Sequence, residues 1–385
     1  MQMPLASLKV IELAHVAAGP FAGSLLADLG ADVVKVERPE GDMLRDWPPL
    51  AANDQGEDFS ECFASVNRNK RSITVDLKDE AQVATLRRLC AAADVVIENF
   101  RPGVLERFGL HAQALREANP RLVYCSVSGY GQTGPNARKG AFDVTIQAFS
   151  GLMSVTGEPD GSPVKCGVPV ADFCAGLYAA YTILAALRRR DATGQGAVID
   201  CSMLGALVGI SALQTSQFFG TGHSPGKLGS AHPRNAPYRA FEASDGYLVI
   251  AAGTTELFHL VCDAVDAPEL AHDERFATIQ LRAANQEALL QLLQPRFLQR
   301  PIAEWLDRLE ERGVPCALIN DFEDMLADPH VQHLGWVRDM KLPNGVVTRT
   351  TAFPVGLSDY AFEVFRPPPA LGQHNEAVVQ EWLGC

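Results

Sequence analysis

LKVIELAHVAAGPFAGSLLADLGADVVKVE, residues 8–37, holds two short β-branched runs on either side of a segment rich in Ala, Gly and Leu. LKVIELA (8–14) reads as a buried strand, FAGSLLADLGA (21–31) as a helix, and DVVKVE (32–37) as the next strand. The rhythm returns in RSITVDL (71–77), DEAQVATLRRLCAAA (79–93) and DVVIENF (94–100). LVYCSVS (122–128) and GAVIDCS (196–202) add two further strands, and Asp172 opens a helix running to about Arg190. Short apolar strands joined by helices predict an α/β fold with a parallel sheet covered on both faces.

At 385 residues the chain exceeds the size at which one core usually stops growing, so two domains are expected. The character changes at GTGHSPGKLGSAHPRNAP (220–237), a Gly/Pro/Ser-rich loop. Beyond it, YRAFEASDGYLVIAAG (238–253) reads as a hairpin around Ser244-Asp245-Gly246. Helical stretches follow to about 312, and VPCALIN (314–320) is a short strand. The expected division is a large domain from 1–224, a smaller α+β domain from 225–325, and a segment from 326–385 returning to the first.

A formal charge of −13 disfavours a nucleic-acid partner, and no basic tail offsets it. The nine cysteines are scattered, with neither a CxxC nor a metal-type pairing with His, which points to a reducing, cytoplasmic setting and no metal. The start, MQMPLASLKV, lacks a signal-peptide pattern, and the longest apolar run, Leu177 to Leu187, is too short to span a bilayer. A soluble protein with no membrane partner is expected.

GYGQTG (129–134) matches G-x-G-x-x-G directly after a strand. Pro135, Asn136 and Arg138 then stand where a dinucleotide fingerprint needs an apolar helix, so the segment reads as a flexible glycine loop. Arg38, Lys78, Arg101 and Arg107 follow strands, the end at which open α/β sheets bind ligands, and suit a polyanion. A lone His such as His15 is more often structural than a ligand. Asp172 interrupts the apolar stretch CGVPVADFCAGLYAAYTILAAL (166–187). It reads as a helix N-cap, a role compatible with attack on an electrophile as a covalent nucleophile.

In order along the chain, HVAAGPFAGSLLADLGADVVKVERPEGD (15–42), NRNKRSITVDLK (67–78), ADVVIENFRPGVLERFGL (93–110), GYGQTGP and VADFCAG (170–176) closely resemble the family III CoA-transferases, the CaiB/BaiF family. That family includes formyl-CoA transferase, carnitine CoA-transferase and, as a branch, α-methylacyl-CoA racemase. The resemblance is dense from about residue 8 to 205 and looser to about 375, where APYRAF and LGQHN still fit. It implies a Rossmann-like large domain built from both chain ends, a small inserted domain, and an interlocked homodimer. It places the catalytic aspartate on Asp172. The implied CoA contacts fall on Val16, Ala17, Arg38, Val75 to Lys78, Asn99, Phe100, Arg101, Arg107, Lys139, Ala141, Phe142 and Asp143. His15, Gly131 and Arg234 are candidates for the acid substrate.

The implied reaction moves CoA from an acyl-CoA thioester to a free acid through aspartyl anhydride and aspartyl-CoA intermediates, with CoA as substrate and no tightly bound cofactor. Formyl-CoA transferases commonly carry Gln at the position of Ala17 and Lys at that of Gly140. The racemases carry a His where Phe142 stands, so one of their two proton carriers is missing here, and a transferase is preferred to a racemase-type isomerase. An NAD-dependent oxidoreductase would rest on GYGQTG alone. AHPRNAPY (231–238) resembles members acting on dicarboxylic acids such as succinate, itaconate or mesaconate, and Arg234 could pair with a distal carboxylate.

Overall fold

β1 (Lys9–Leu13), β2 (Asp32–Glu37), β3 (Arg71–Thr74), β4 (Val95–Glu98), β5 (Val123–Ser128) and β6 (Ala197–Ser202) form a parallel six-stranded sheet ordered β3-β2-β1-β4-β5-β6. This is the doubly wound order, and the strand sequence reverses between β1 and β4. The computed structural model describes residues 3–384, so Met1, Gln2 and Cys385, the last of the nine cysteines, lie outside it.

Alternation along each strand feeds two cores. On one face Val10, Val33, Val95, Ile97 and Val123 pack with Ala22 and Leu26 of α1 (Ala18–Asp28) and with Ala171, Ala175, Ala179 and Ile183 of α4 (Val170–Thr193). On the other, Ile11, Val34, Ile73 and Val96 meet Leu86 and Leu89 of α2 (Glu80–Ala92). Val378 and Trp382 of the C-terminal helix α6 (Asn375–Leu383) join this second core. Each large aliphatic side chain so buried contributes roughly 1.5–3 kcal/mol. Two further helices, α3 (Asp143–Phe149) and α5 (Met203–Ile210), flank α4.

α1 and α4 approach closely because α4 carries Gly176, where a Cβ would stand 2.8 Å from the Phe21 ring and 2.9 Å from the Ala18 carbonyl oxygen. By length and apolarity alone the 24 residues of α4 would suffice to cross a membrane, more than the run Leu177 to Leu187 led us to expect. Its alanine face is instead the centre of a protein core.

The C-terminal segment is stitched to the sheet edge. Thr74 donates its N–H to Asn375 Oδ1 at 2.8 Å, Trp382 Nε1 donates to Asp32 at 3.0 Å, and Arg71 pairs with Glu381 at 2.7 Å. The chain divides into two compact units, one comprising the segments up to Leu152, Lys165–Gly222 and from Pro329 onward, the other Met153–Val164 with His223–Asp328. Residues 153–164, within the 1–224 segment of the sequence reading, group with the second unit. There Gly229 donates its N–H to the Gly157 carbonyl at 2.9 Å, and Lys227 bonds the Gly161 carbonyl. The second unit holds an antiparallel sheet of Tyr238–Ala243, Gly246–Ala251 and Cys316–Leu318 over a core including Phe241, Phe258, Phe297 and Trp305.

Charge is buried inside the apolar sheet of the first unit. Glu12 on β1 is in register with Lys35 on β2, and both side chains are fully buried, 3.2 Å apart. Lys35 also pairs with Asp42 at 2.8 Å and donates to the Ala14 carbonyl at 2.7 Å, while Lys70 pairs with the other Glu12 oxygen at 2.8 Å. Gly23 of α1 leaves room for this cluster, because a Cβ there would fall 1.9 Å from Glu12 Oε2. Burial disfavours the charge on Lys35, but Glu12, Asp42 and Glu37 outweigh it and hold its pKa above the ordinary lysine value. Removing one partner of such a cluster leaves bare buried charges. Lys35→Met is expected to lose about 3–5 kcal/mol of stability in urea or guanidinium titration. A loss below about 1 kcal/mol would contradict the assignment.

Candidate active site

A cavity of about 550 Å³ opens beyond the carboxyl ends of the central strands, at the reversal in strand order. His15 from the loop after β1, Arg38 after β2, Val75 and Lys78 after β3, and Phe100 after β4 all line it. These are five of the positions expected to contact CoA or substrate. Arg38 and Lys78 are exposed cations at its rim. Val16, Ala17, Asn99, Arg101 and Arg107 do not line it. Arg107 is exposed on the turn Leu105–Phe108, whose Phe108 does.

The loop after β1 is held from several sides. Asp42 accepts the Val16 N–H at 3.2 Å, and Asn99 both accepts from and donates to the His15 backbone at 3.1 and 2.8 Å. Val16 adopts φ 65, a conformation β-branched residues rarely take, and the surrounding hydrogen bonds hold it there. The Phe100 ring meets the His15 ring edge-on, with centroids 5.0 Å apart. Desolvation and the Lys35 ammonium lower the pKa of His15, leaving it neutral near pH 7. Glu98, buried at the end of β4, accepts the Phe100 N–H at 2.9 Å, and burial pushes its pKa up to about 7.

Asp172 lies in the first turn of α4, but it is not the cap. Pro169 occupies the N-cap position and provides no side-chain hydrogen bond, so Asp172 is the third residue of the helix. The capping carboxylate comes from another helix: Asp143 Oδ1 accepts the Ala171 N–H at 2.8 Å. Asp143 Oδ2 accepts from Gln147 Nε2 at 2.6 Å, and Gln147 Oε1 accepts the Cys166 N–H at 2.8 Å. Asp172 is half-buried. Burial, and then the nearby Asp143 carboxylate, raise its pKa to about 7.

Ala141 and Phe142 precede Asp143, Ala141 half-buried and Phe142 exposed. Arg101 lies against this segment, since a Cβ on Gly140 would stand 2.8 Å from its guanidinium, and Lys139 beside it is exposed. Gly131 has φ +93 and donates to Ser128 Oγ at 3.0 Å, while the Gln132 N–H bonds Asp200 at 2.9 Å. GYGQTG is thus a loop tied back to β6, and turns and bends rather than a helix follow it. Arg234, in the second unit, is exposed, and its N–H donates to His232 Nδ1 at 3.2 Å. Among the described residues no group of three or more His, Cys, Asp or Glu is arranged to hold a metal ion.

Sequence reasoning passed over Glu12, Lys35, Gln147 and Glu98. The first two carried a visible signal, opposite charges inside adjacent apolar strands. Gln147 had none, because its partners are set by tertiary packing.

An open α/β sheet with a cavity at its switch point and exposed cations at the rim suits an enzyme acting on an anionic substrate. The model of CoA-transferase family III matches residues 5–375, and the chain belongs to that family. It is 42% identical over 381 residues to a succinate–glutarate CoA-transferase of Agrobacterium fabrum, covering 98% of this chain and 95% of that one. It is 39% identical over 383 residues to the human succinyl-CoA:glutarate CoA-transferase, covering 99% of this chain and 86% of that one. A crystal structure of a CaiB/BaiF family protein from Brucella suis superposes with a TM-score of 0.88 at 42% identity, covering 99% of this chain and 100% of that one. The protein is a CoA-transferase, and it moves CoA from an acyl-CoA thioester to a free carboxylic acid.

A carboxyl group whose pKa is raised on folding stabilises the fold fully below its unfolded value of 3.8 and loses that contribution as pH rises through about 7. Asp172→Asn is therefore expected to melt at a higher temperature than the wild type at pH 8. The gain should shrink toward pH 5 and vanish below about pH 4 in a thermal-unfolding series. A gain independent of pH would contradict the raised pKa.

Proposed function

We propose that the enzyme exchanges CoA between dicarboxylic acids, with Asp172 as covalent nucleophile. The observation that carries this reading is a half-buried carboxylate beside Asp143, with no hydrogen bond of its own among the described residues. An anion so poorly solvated is a stronger nucleophile than one in water. An Asp172 oxygen attacks the thioester carbonyl, the C–S bond breaks, and CoA leaves as thiolate. The thiolate then attacks the aspartyl carbonyl of the anhydride, freeing the donor acid and leaving aspartyl-CoA. The acceptor carboxylate attacks this thioester, forming a new anhydride and thiolate. The thiolate finally takes the acceptor's acyl carbon and releases Asp172. No proton is consumed and no ATP is needed, because the thioester's energy is conserved throughout.

Arg38 and Lys78 at the cavity rim suit the phosphates of CoA, with Arg101, Arg107 and Lys139 as further cations of the same unit. Val16, Ala17, Val75, Asn99, Phe100, Ala141 and Phe142 would contact the rest of the cofactor-like substrate, with His15 and Gly131 facing the acid. The succinate and glutarate in the relatives' names support a dicarboxylate, and Arg234 is our candidate partner for its second carboxylate. Transfer from succinyl-CoA to glutarate without ATP is the expected activity in a screen of donors against acceptors. Asp172→Ala should lower it by more than about 10³-fold; full activity in that variant would overturn the reading. Because the attacking group must be ionised, kcat/KM should rise with pH through an apparent pKa of about 7 and level off above it.

We also read residues 225–325 as a small domain inserted in the large one, the chain as cytoplasmic, and the enzyme as a homodimer. Unpaired thiols at eight described cysteines suit a reducing compartment. Leu177, Tyr178 and Tyr181 of α4 and Leu213, Phe218 and Phe219 of the helix Ala212–Thr221 are large apolar side chains left exposed, of the kind an interface would cover. Light scattering should give twice 41.5 kDa, and Tyr181→Asp should shift the population toward monomer. A monomeric wild type would refute the dimer.

A further inference from the structure

Gln147 is a fully buried carboxamide on α3, and the reaction scheme gives it no task. Both of its polar atoms are committed: Nε2 donates to Asp143 at 2.6 Å and Oε1 accepts the Cys166 N–H at 2.8 Å. Asp143 in turn accepts the Ala171 N–H. The strap 166–169, CGVP, has no regular structure, and the backbone on either side of it is clamped to one helix. At its start Gln147 holds Cys166, and at its finish Asp143 holds Ala171, the residue before Asp172.

Asp172 has no hydrogen bond of its own among the described residues to fix its carboxylate, so its place is inherited from this backbone. We propose that Gln147 is a positioning residue for Asp172, closing a ring of hydrogen bonds through Asp143, Ala171 and the strap. The ring does two things. It restrains the nucleophile's backbone, and it keeps the Asp143 carboxylate accepting at both oxygens beside Asp172 rather than turning toward it. A misplacement of about 1 Å in such a group can cost on the order of 10² in rate. The inference rests on Asp172 being the nucleophile.

Two variants test it. Gln147→Met keeps the size and removes both hydrogen bonds. The expected result is kcat lower by about 10- to 100-fold with KM for acyl-CoA changed less than about threefold, the deficit being independent of pH. Gln147→Glu can donate to Asp143 only when protonated. Its deficit relative to wild type should therefore be large at pH 8 and narrow steadily as pH falls toward 5.5, which a merely structural role would not produce. The inference is overturned if Gln147→Met keeps kcat within twofold of wild type, if the loss is entirely in KM, or if the Gln147→Glu ratio is flat with pH. Should Gln147→Met fail to fold, the pH dependence of Gln147→Glu decides alone. Activity retained in Asp172→Ala would instead overturn the nucleophile assignment, whatever the Gln147 variants do.

Discussion

Lys35 donates to the Ala14 carbonyl and pairs with Glu12 and Asp42 inside the central sheet. The cavity wall depends on this ammonium. Asp42 is oriented by Lys35 and in turn accepts the Val16 N–H, so the turn after β1 is fixed in a conformation that Val16 would not adopt unaided. A hydrophobic replacement of such a cluster can be as stable or more so. What it could not do is present an oriented acceptor at the base of a strained loop. The cluster thus serves geometry at the carboxyl ends of β1 and β2, where the cavity opens.

A second, smaller network performs the same service for the nucleophile. Asp143 and Gln147 lie one helical turn apart on α3 and reach across to the two ends of the strap. Asp143 thereby caps α4 in place of any residue on α4 itself. Burial, and then the nearby Asp143 carboxylate, keep Asp172 from ionising as readily as an exposed aspartate would. The two networks share a logic: a buried hydrogen-bonded side chain at a strand or helix end holds a loop that carries chemistry.

The β/α rhythm of residues 8–128 was legible because each strand and helix has its own period, whereas the sheet order is set by packing that periodicity does not report. The family was legible from ordered motifs. The cap was misread because a helix-opening aspartate has the same local pattern whether it caps or only follows the cap. The true capping group, Asp143, lies 28 residues away and is brought there by packing of α3 on α4. Carbonyls of residues 157 and 161 accept from the loop at 227–229, a pairing that chain position does not report. Opposite charges on β1 and β2 could have been noticed, but their pairing depends on register, which no periodicity reports.

In the proposed mechanism Asp172 becomes an acyl derivative during turnover. The most direct measurement is peptide mass spectrometry on wild-type enzyme incubated with succinyl-CoA and hydroxylamine in the absence of acceptor. The expected result is a hydroxamate on Asp172 that accumulates in step with loss of activity. Full activity retained after the incubation with Asp172 unmodified, or a hydroxamate on another carboxylate, would contradict the covalent role of Asp172.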